Sequence, residues 1–294
     1  MPNAVAKTVA AELAGMGFMP HPLCGKLVGS RMANRGEQEF RCLCKESSSV
    51  GPFRTVCAQY MGTGASLTEF LISGLNLDRE VKSEIATLGG IANTIVSVFD
   101  KLLDSSGCVP VLFSDNPQFS ADPEICAKQR LVVDLVELYY GRLRLFSSTA
   151  PRVRTLLDRA IRRLYQAELR TAVPNAMPWS AWWRKDALLT IIMGLPAWLQ
   201  MRDNDQLEFA KHLMWLGRVG EFFGWLDDAS DYEIDSATGS ANWLHLRHES
   251  SVHDCARRIA AKGQRVLKFW DSRNGDSPER DTFTVISWMW LTAP

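Results

Sequence analysis

Aspartates at helical spacing are the residues of this chain best suited to chemistry. In VSVFDKLLDSSG, Asp100 and Asp104 stand four apart, so on a helix they share one face, one turn above the other. In GEFFGWLDDASDYEID, Asp227 and Asp231 repeat that spacing, Asp228 lies three before Asp231, and Asp235 continues the stripe. Carboxylates stacked this way repel by roughly 0.2–0.5 kcal/mol per pair. A purely structural helix would intersperse lysines there. The turns before each cluster are apolar: Ile95, Val96, Val98 and Phe99 in one case, Phe222, Phe223, Trp225 and Leu226 in the other. Each acidic group therefore ends an apolar helix face. Hard divalent cations take such oxygen donors, and Mg²⁺ in particular uses a few carboxylates together with substrate phosphates. Two such helices facing each other would hold a metal–diphosphate group between them.

To position these aspartates the chain must be helical, and its patterning is. Apolar residues recur at i, i+3, i+4, while short alternating runs bounded by turn residues are nearly absent. The periodicity predicts helices over Ala4–Gly15, Leu67–Leu75, Arg79–Asp104, Glu124–Leu145, Val153–Arg170, Trp179–Met201, Asp205–Glu233, Ser251–Asp271 and Thr282–Leu291. The SADP segment offers a capping residue before Glu124, and breakers sit at Pro110, Pro117, Pro151, Pro174–Pro178, Gly239 and Ser272–Asp281. The stretch Gly25–Gly64 is less periodic and is not assigned. No repeat or linker interrupts the pattern, so the expectation is one all-α domain over residues 1–294.

Composition narrows the function classes. The chain has 294 residues with 33 basic and 33 acidic side chains, a neutral balance that argues against nucleic acid or an anionic membrane as the main partner. An apolar fraction of 46% excludes disorder as the dominant state. The seven cysteines include no CxxC pair, so they read as reduced, buried thiols. A zinc site from the N-terminal Cys24, Cys42, Cys44 and Cys57 lacks the usual knuckle spacing. His245, His248 and His253 have no acidic or cysteine pattern to complete a metal set. No apolar leader follows Met1, and the most apolar run, Ala187–Leu199, is too short to span a bilayer. A cytoplasmic location is expected.

In their order, flanks and spacing the two clusters resemble the class I isoprenoid synthases, that is, the trans-prenyltransferases and related terpene cyclases. DKLLD (Asp100–Asp104) is similar to the first aspartate-rich motif, DDxxD, with Lys101 in place of its second acid. FFGWLDDASD (Phe222–Asp231) is similar to the second, FQxxDDxxD, with Phe223–Gly224 where that family commonly has Phe–Gln. RKDALLTIIMGLPAWLQ resembles the KT-x-LL helix and puts Lys185 at the position of a diphosphate-binding lysine, with Arg184 as its companion. YQAEL, with Gln166 and Glu168, resembles the GQxxD-like element of the preceding helix. The resemblance covers about residues 80 to 235.

It implies an antiparallel helical bundle around a central apolar cavity, with Mg²⁺ bridging the acids and a prenyl diphosphate at its mouth. Asp100, Asp104, Asp227, Asp228 and Asp231 would be metal ligands, and Lys185, Arg184 and Gln166 would contact substrate. Phe99 and Phe223, with Phe222, Trp225, Trp182 and Trp183, are aromatic candidates for stabilising a carbocation, although helix stripes of Phe and Trp more often form core. The run Arg152, Arg154, Arg159, Arg162 and Arg163 reads first as a solvated face. The substrate would be geranyl, farnesyl or geranylgeranyl diphosphate, and dimers are usual in such families. The chain departs from the elongating members. Gly25, Lys26 and Arg31 only echo their basic element, Gly239–Ser240 stands where a GK pair is common, and the NSE-type triad of many cyclases is missing. A class I terpene cyclase needs no second diphosphate site and is the leading reading. A trans-prenyltransferase using isopentenyl diphosphate or another acceptor is the alternative, and a catalytically silent partner subunit the third.

Overall fold

The structure is a computed structural model that describes residues 3–20, 22–106, 112–113, 117–146, 150–171, 179–200, 206–239, 242, 244, 251–274 and 278–292; the side chains of 22, 48–49, 104–106, 171, 179–184 and 278 lie outside the description. The described residues are helical, with no strand among them. The helices are α1 (Ala4–Gly15), α2 (Pro22–Glu46), α3 (Arg54–Ile72), α4 (Arg79–Ser106), α5 (Pro123–Leu143), α6 (Pro151–Thr171), α7 (Trp179–Gly194), α8 (Gln206–Thr238), α9 (Val252–Asn274) and α10 (Pro278–Thr292). Short 3-10 turns, Ser48–Phe53 and Leu195–Leu199, precede α3 and follow α7. The chain divides into two compact units: Met1–Gly29, Arg162–Ile191 and Asp205–Pro294 form the first, Ser30–Ile161 and Ile192–Asn204 the second.

The segment left unassigned from sequence is α2, which belongs to the second unit from Ser30 onward, and the start of α3. Gly36, Gly62 and Gly64 in it are points of close approach. A Cβ on Gly36 would stand 2.0 Å from the Ala58 carbonyl oxygen, and one on Gly62 would stand 2.2 Å from that of Met32. α2 and α3 therefore touch backbone to backbone. α3 and α4 meet in the same way, with Gly64 against Asn93, Gly89 against Thr68 and Gly90 against Met61. This close packing explains how Gly89–Gly90 sits mid-helix despite costing about 1 kcal/mol each relative to alanine. Arg142 on α5 pairs with Glu46 of α2 at 2.5 Å and Glu84 of α4 at 3.0 Å. Asp122 caps α5 as the SADP segment suggests, accepting from the amides of Glu124 and Ile125.

Among the described residues, α4 is long and apolar enough over Arg79–Leu103 to cross a membrane by length and composition, with 72% of that window buried inside the protein. The helix expected over Trp179–Met201 is corrected: α7 ends at Gly194, and Pro196, which has no amide hydrogen to donate, lies in a 3-10 turn that follows.

The first unit packs α1 against α8, α9 and α10, and α9 and α10 against α8. Phe18, Phe222 and Phe283 form its centre, with ring centroids 5.7 to 5.9 Å apart. Gly263 on α9 admits the Phe222 ring, which a Cβ there would meet at 2.9 Å. One of the chain's ten tryptophans is held here. Trp215 stacks between His212 and Phe269 and donates its indole N–H to the Val266 carbonyl at 3.1 Å.

Candidate active site

In the first unit α8 carries the second acidic motif across a sharp change of surroundings. Phe222, Phe223, Trp225 and Leu226 are buried, and one step later Asp227 and Asp231 are exposed while Asp228 is half-buried. Asp227 and Asp231, four apart on one continuous helix, share a face. The sequence expectation of acids ending an apolar face is met in this helix.

Four consecutive residues of that turn accept hydrogen bonds from outside α8. Trp290 on α10 donates its indole N–H to Asp227 Oδ1 at 3.0 Å. Buried Asn242 donates Nδ2–H to the Asp228 carbonyl at 2.7 Å and to Asp235 Oδ2 at 2.9 Å. Asn3 donates Nδ2–H to the carbonyls of Ala229 (3.0 Å) and Ser230 (2.7 Å), while its Oδ1 accepts from the Ala6 amide and caps α1.

In the same unit stand Glu168 of α6 and Lys185 and Asp186 of α7. Lys185 pairs with Glu168 at 2.9 Å, and Glu168 is only 2% exposed. Gln166, the expected substrate contact, is exposed and lies about 200° around α6 from Glu168 at 3.6 residues per turn. The YQAEL element thus turns its glutamate, not its glutamine, toward Lys185.

Asp186 follows Lys185 and enters a notch in α8. A Cβ on Gly224 would stand 1.9 Å from Asp186 Oδ2, and one on Gly220 would stand 2.2 Å from the Asp186 carbonyl oxygen. Thr190 Oγ1 donates to the Leu216 carbonyl at 2.7 Å and completes this α7–α8 seam. Gly224, which takes the place of glutamine in the resembling motif, is thereby explained: a longer side chain would collide with Asp186. Burial pushes the Asp186 carboxyl well above the usual carboxylate range. Lys185 opposes that shift, whereas Asp227, Glu168 and Glu221 reinforce it.

The aromatic candidates are packed. Phe223 lies against Phe222, Phe283 and Trp290, and Lys262, ion-paired with Glu221, sits over the Trp225 ring at 4.1 Å. In the second unit Phe99 is buried, Asp100 half-buried, and Lys101 exposed over the Tyr60 ring at 5.2 Å. Arg152, Arg159, Arg162 and Arg163 are exposed, as a solvated face requires, whereas Arg154 is half-buried and donates to the Leu143 carbonyl at 3.1 Å. The side chains of Asp104, Arg184, Trp182 and Trp183, and all of His245 and His248, lie outside the described residues. A cavity of about 540 Å³ in the second unit is lined by Glu46, Asp134, Glu137 and Arg142 among others, and includes none of the residues marked from sequence.

Among the described residues no three His, Cys, Asp or Glu side chains are gathered into a metal-holding group. The donor set on α8 still fits Mg²⁺ by chemistry, since it is all carboxylate oxygen and partly solvent-facing, and this ion takes part of its shell from water and substrate phosphates. Sequence reading missed Asp186, Trp290, Asn242 and Asn3. The Gly220–Gly224 spacing opposite a charged pair was the readable signal for Asp186. Trp290 and the two asparagines carry no local signal.

Two solved structures share this architecture. An FPP/GFPP synthase from Zymomonas mobilis, in its apo structure, matches with a TM-score of 0.55 and 14% identity over 90% of this chain and 98% of that one. A geranyltransferase from Legionella pneumophila matches with a TM-score of 0.55 and 10% identity over 92% of this chain and 97% of that one. No family model and no curated protein matches the chain. At these identities the likeness is one of fold, and the chain has the all-α fold of the isoprenoid synthases.

Proposed function

We propose that the chain is a Mg²⁺-dependent enzyme acting on an allylic prenyl diphosphate, and that it transfers the prenyl group to isopentenyl diphosphate or another acceptor. The observation that carries this reading is the acid-bearing turn of α8, at the solvent end of an apolar helix face, in the same unit as Lys185. Transfer takes precedence over the cyclisation favoured from sequence because both structures of like fold are named for prenyl synthesis or transfer. Cyclisation is kept as a second reading on one specific ground: the chain lacks a clear basic element for a second diphosphate, with Gly239–Ser240 where a GK pair is common.

Asp227, Asp228 and Asp231 on α8 would hold the metal, and Asp100 and Asp104 on α4 keep the ligand role that the resemblance implies. When bound, Mg²⁺ supplies Lewis-acid neutralisation of the charge developing on the leaving diphosphate. Lys185 would contact the same diphosphate through its ammonium, whose three donors let it keep its Glu168 partner. Arg184 keeps the substrate-binding role that the resemblance implies, whereas Gln166, turned away from Lys185, is given none. Phe223, already buried, would help keep water from the allylic cation, which water would quench to an alcohol, and Phe99 keeps the aromatic role that the resemblance implies.

The test is incubation with Mg²⁺ and geranyl, farnesyl or geranylgeranyl diphosphate, each with and without isopentenyl diphosphate, followed by product analysis. Longer prenyl products that require the second substrate support transfer. Hydrocarbons formed without it would give the function to cyclisation. Diphosphate release that survives combined Asp227→Ala and Asp231→Ala would remove both enzymatic readings.

A further inference from the structure

The indole of Trp290 reaches the acidic turn from a helix that is firmly seated. α10 is anchored by Phe283, Ile286 and Leu291, each no more than 1% exposed, and the Trp290 ring lies 5.1 Å from that of Phe223. Phe223 is itself wedged against Phe283 at 5.4 Å. The indole nitrogen is a donor only, so at 3.0 Å from Asp227 Oδ1 it can only give its proton to the carboxylate. An exposed aspartate otherwise samples several rotamers, and holding one of them costs entropy when a ligand arrives. Here the donor comes from packed helix rather than from loop.

We propose that Trp290 is a positioning residue, whose N–H fixes the Asp227 carboxylate in the orientation with which the α8 turn meets a divalent cation. This rests on the metal-binding role given to that turn above. Outer donors of this kind orient metal-ligating carboxylates, and losing one typically costs about 10–100-fold in metal affinity. Trp290 acts through Asp227 and does not touch substrate. Asn242 holds the backbone of the same turn through the Asp228 carbonyl, and Trp290 holds the Asp227 side chain.

The experiment is calorimetric titration of the full chain with Mn²⁺ in the presence of inorganic pyrophosphate. Trp290→Phe keeps a ring against Phe223 and removes the N–H; it is expected to bind Mn²⁺ about 10–100-fold more weakly than the parent. Wild-type affinity in Trp290→Phe, alongside weakened binding in Asp227→Ala, overturns the positioning role and leaves the metal reading standing. Wild-type affinity in both Asp227→Ala and Asp231→Ala overturns the metal reading itself, and this proposal with it. Should Trp290→Phe fold poorly, the parent serves: with nitrogen-15 indoles, one resonance is expected to shift on adding Mg²⁺ and pyrophosphate, and not in Asp227→Ala. No shifted indole resonance in the parent overturns the proposal.

Discussion

At Asp186, burial and neighbouring carboxylates favour the protonated form while Lys185 favours the charged one, and the net shift is upward. A carboxyl whose folded-state pKa lies above its unfolded value of 3.8 contributes stability below that value and loses it as pH rises through the folded value. Asp186→Asn keeps the shape that fits the Gly224 notch and removes the titration. Urea melts from pH 4 to 8 are therefore expected to show the variant gaining on the parent as pH rises, with the gap closing toward pH 4. Lys185 presents the opposite case. Its removal strips the buried Glu168 of its ammonium partner, and breaking such a pair from one side costs about 3–5 kcal/mol. Lys185→Ala is expected to melt far below the parent, with Lys185→Ala/Glu168→Gln recovering most of the loss. An activity loss in Lys185→Ala alone would thus mix folding with catalysis.

Helices meet at glycines in this chain, and which glycine is touched decides the sign of a substitution. Gly62→Ala would drive a methyl into the Met32 carbonyl, and overpacking of this kind costs about 1–3 kcal/mol. Gly141, near the end of α5, has nothing within 4 Å of its Cβ position. There Gly141→Ala is expected to stabilise by about 0.5–1 kcal/mol, because alanine is the better helix former. Thermal melts of the pair check both signs. The same glycines set the limit of what could be read from sequence. Helices with strong apolar stripes, such as Ala4–Gly15 and Arg79–Asp104, were legible because their pattern is local. α2 was not, since Gly25, Gly29 and Gly36 look like punctuation until a neighbouring helix is present to use one of them. α7 was overrun for the converse reason: Gly194 and Pro196 are punctuation, and an apolar run concealed it.

For the molecule as a whole, the helical class and the acid-bearing turn of α8 were legible from spacing and flanks, whereas the contacts that hold the turn were not. Asn3 and Trp290 are distant in sequence from Asp227–Ser230, Asn242 lies just beyond the end of α8, and no periodicity links them. If the two acidic groups serve one reaction, Asp100→Ala and Asp227→Ala should each lower diphosphate release by at least about 100-fold without lowering the melting temperature comparably; a loss confined to one of them would restrict the chemistry to that helix. The grip on the α8 turn has one more consequence. Residues 3 and 290 close on the same short stretch, so the segment bearing Asp227 is finished only after residue 290 has left the ribosome. Loosening either contact, by Asn3→Ala or Trp290→Phe, should therefore be felt at the acids first: amide exchange over 227–231 would speed up while the deep aromatic centre stayed protected.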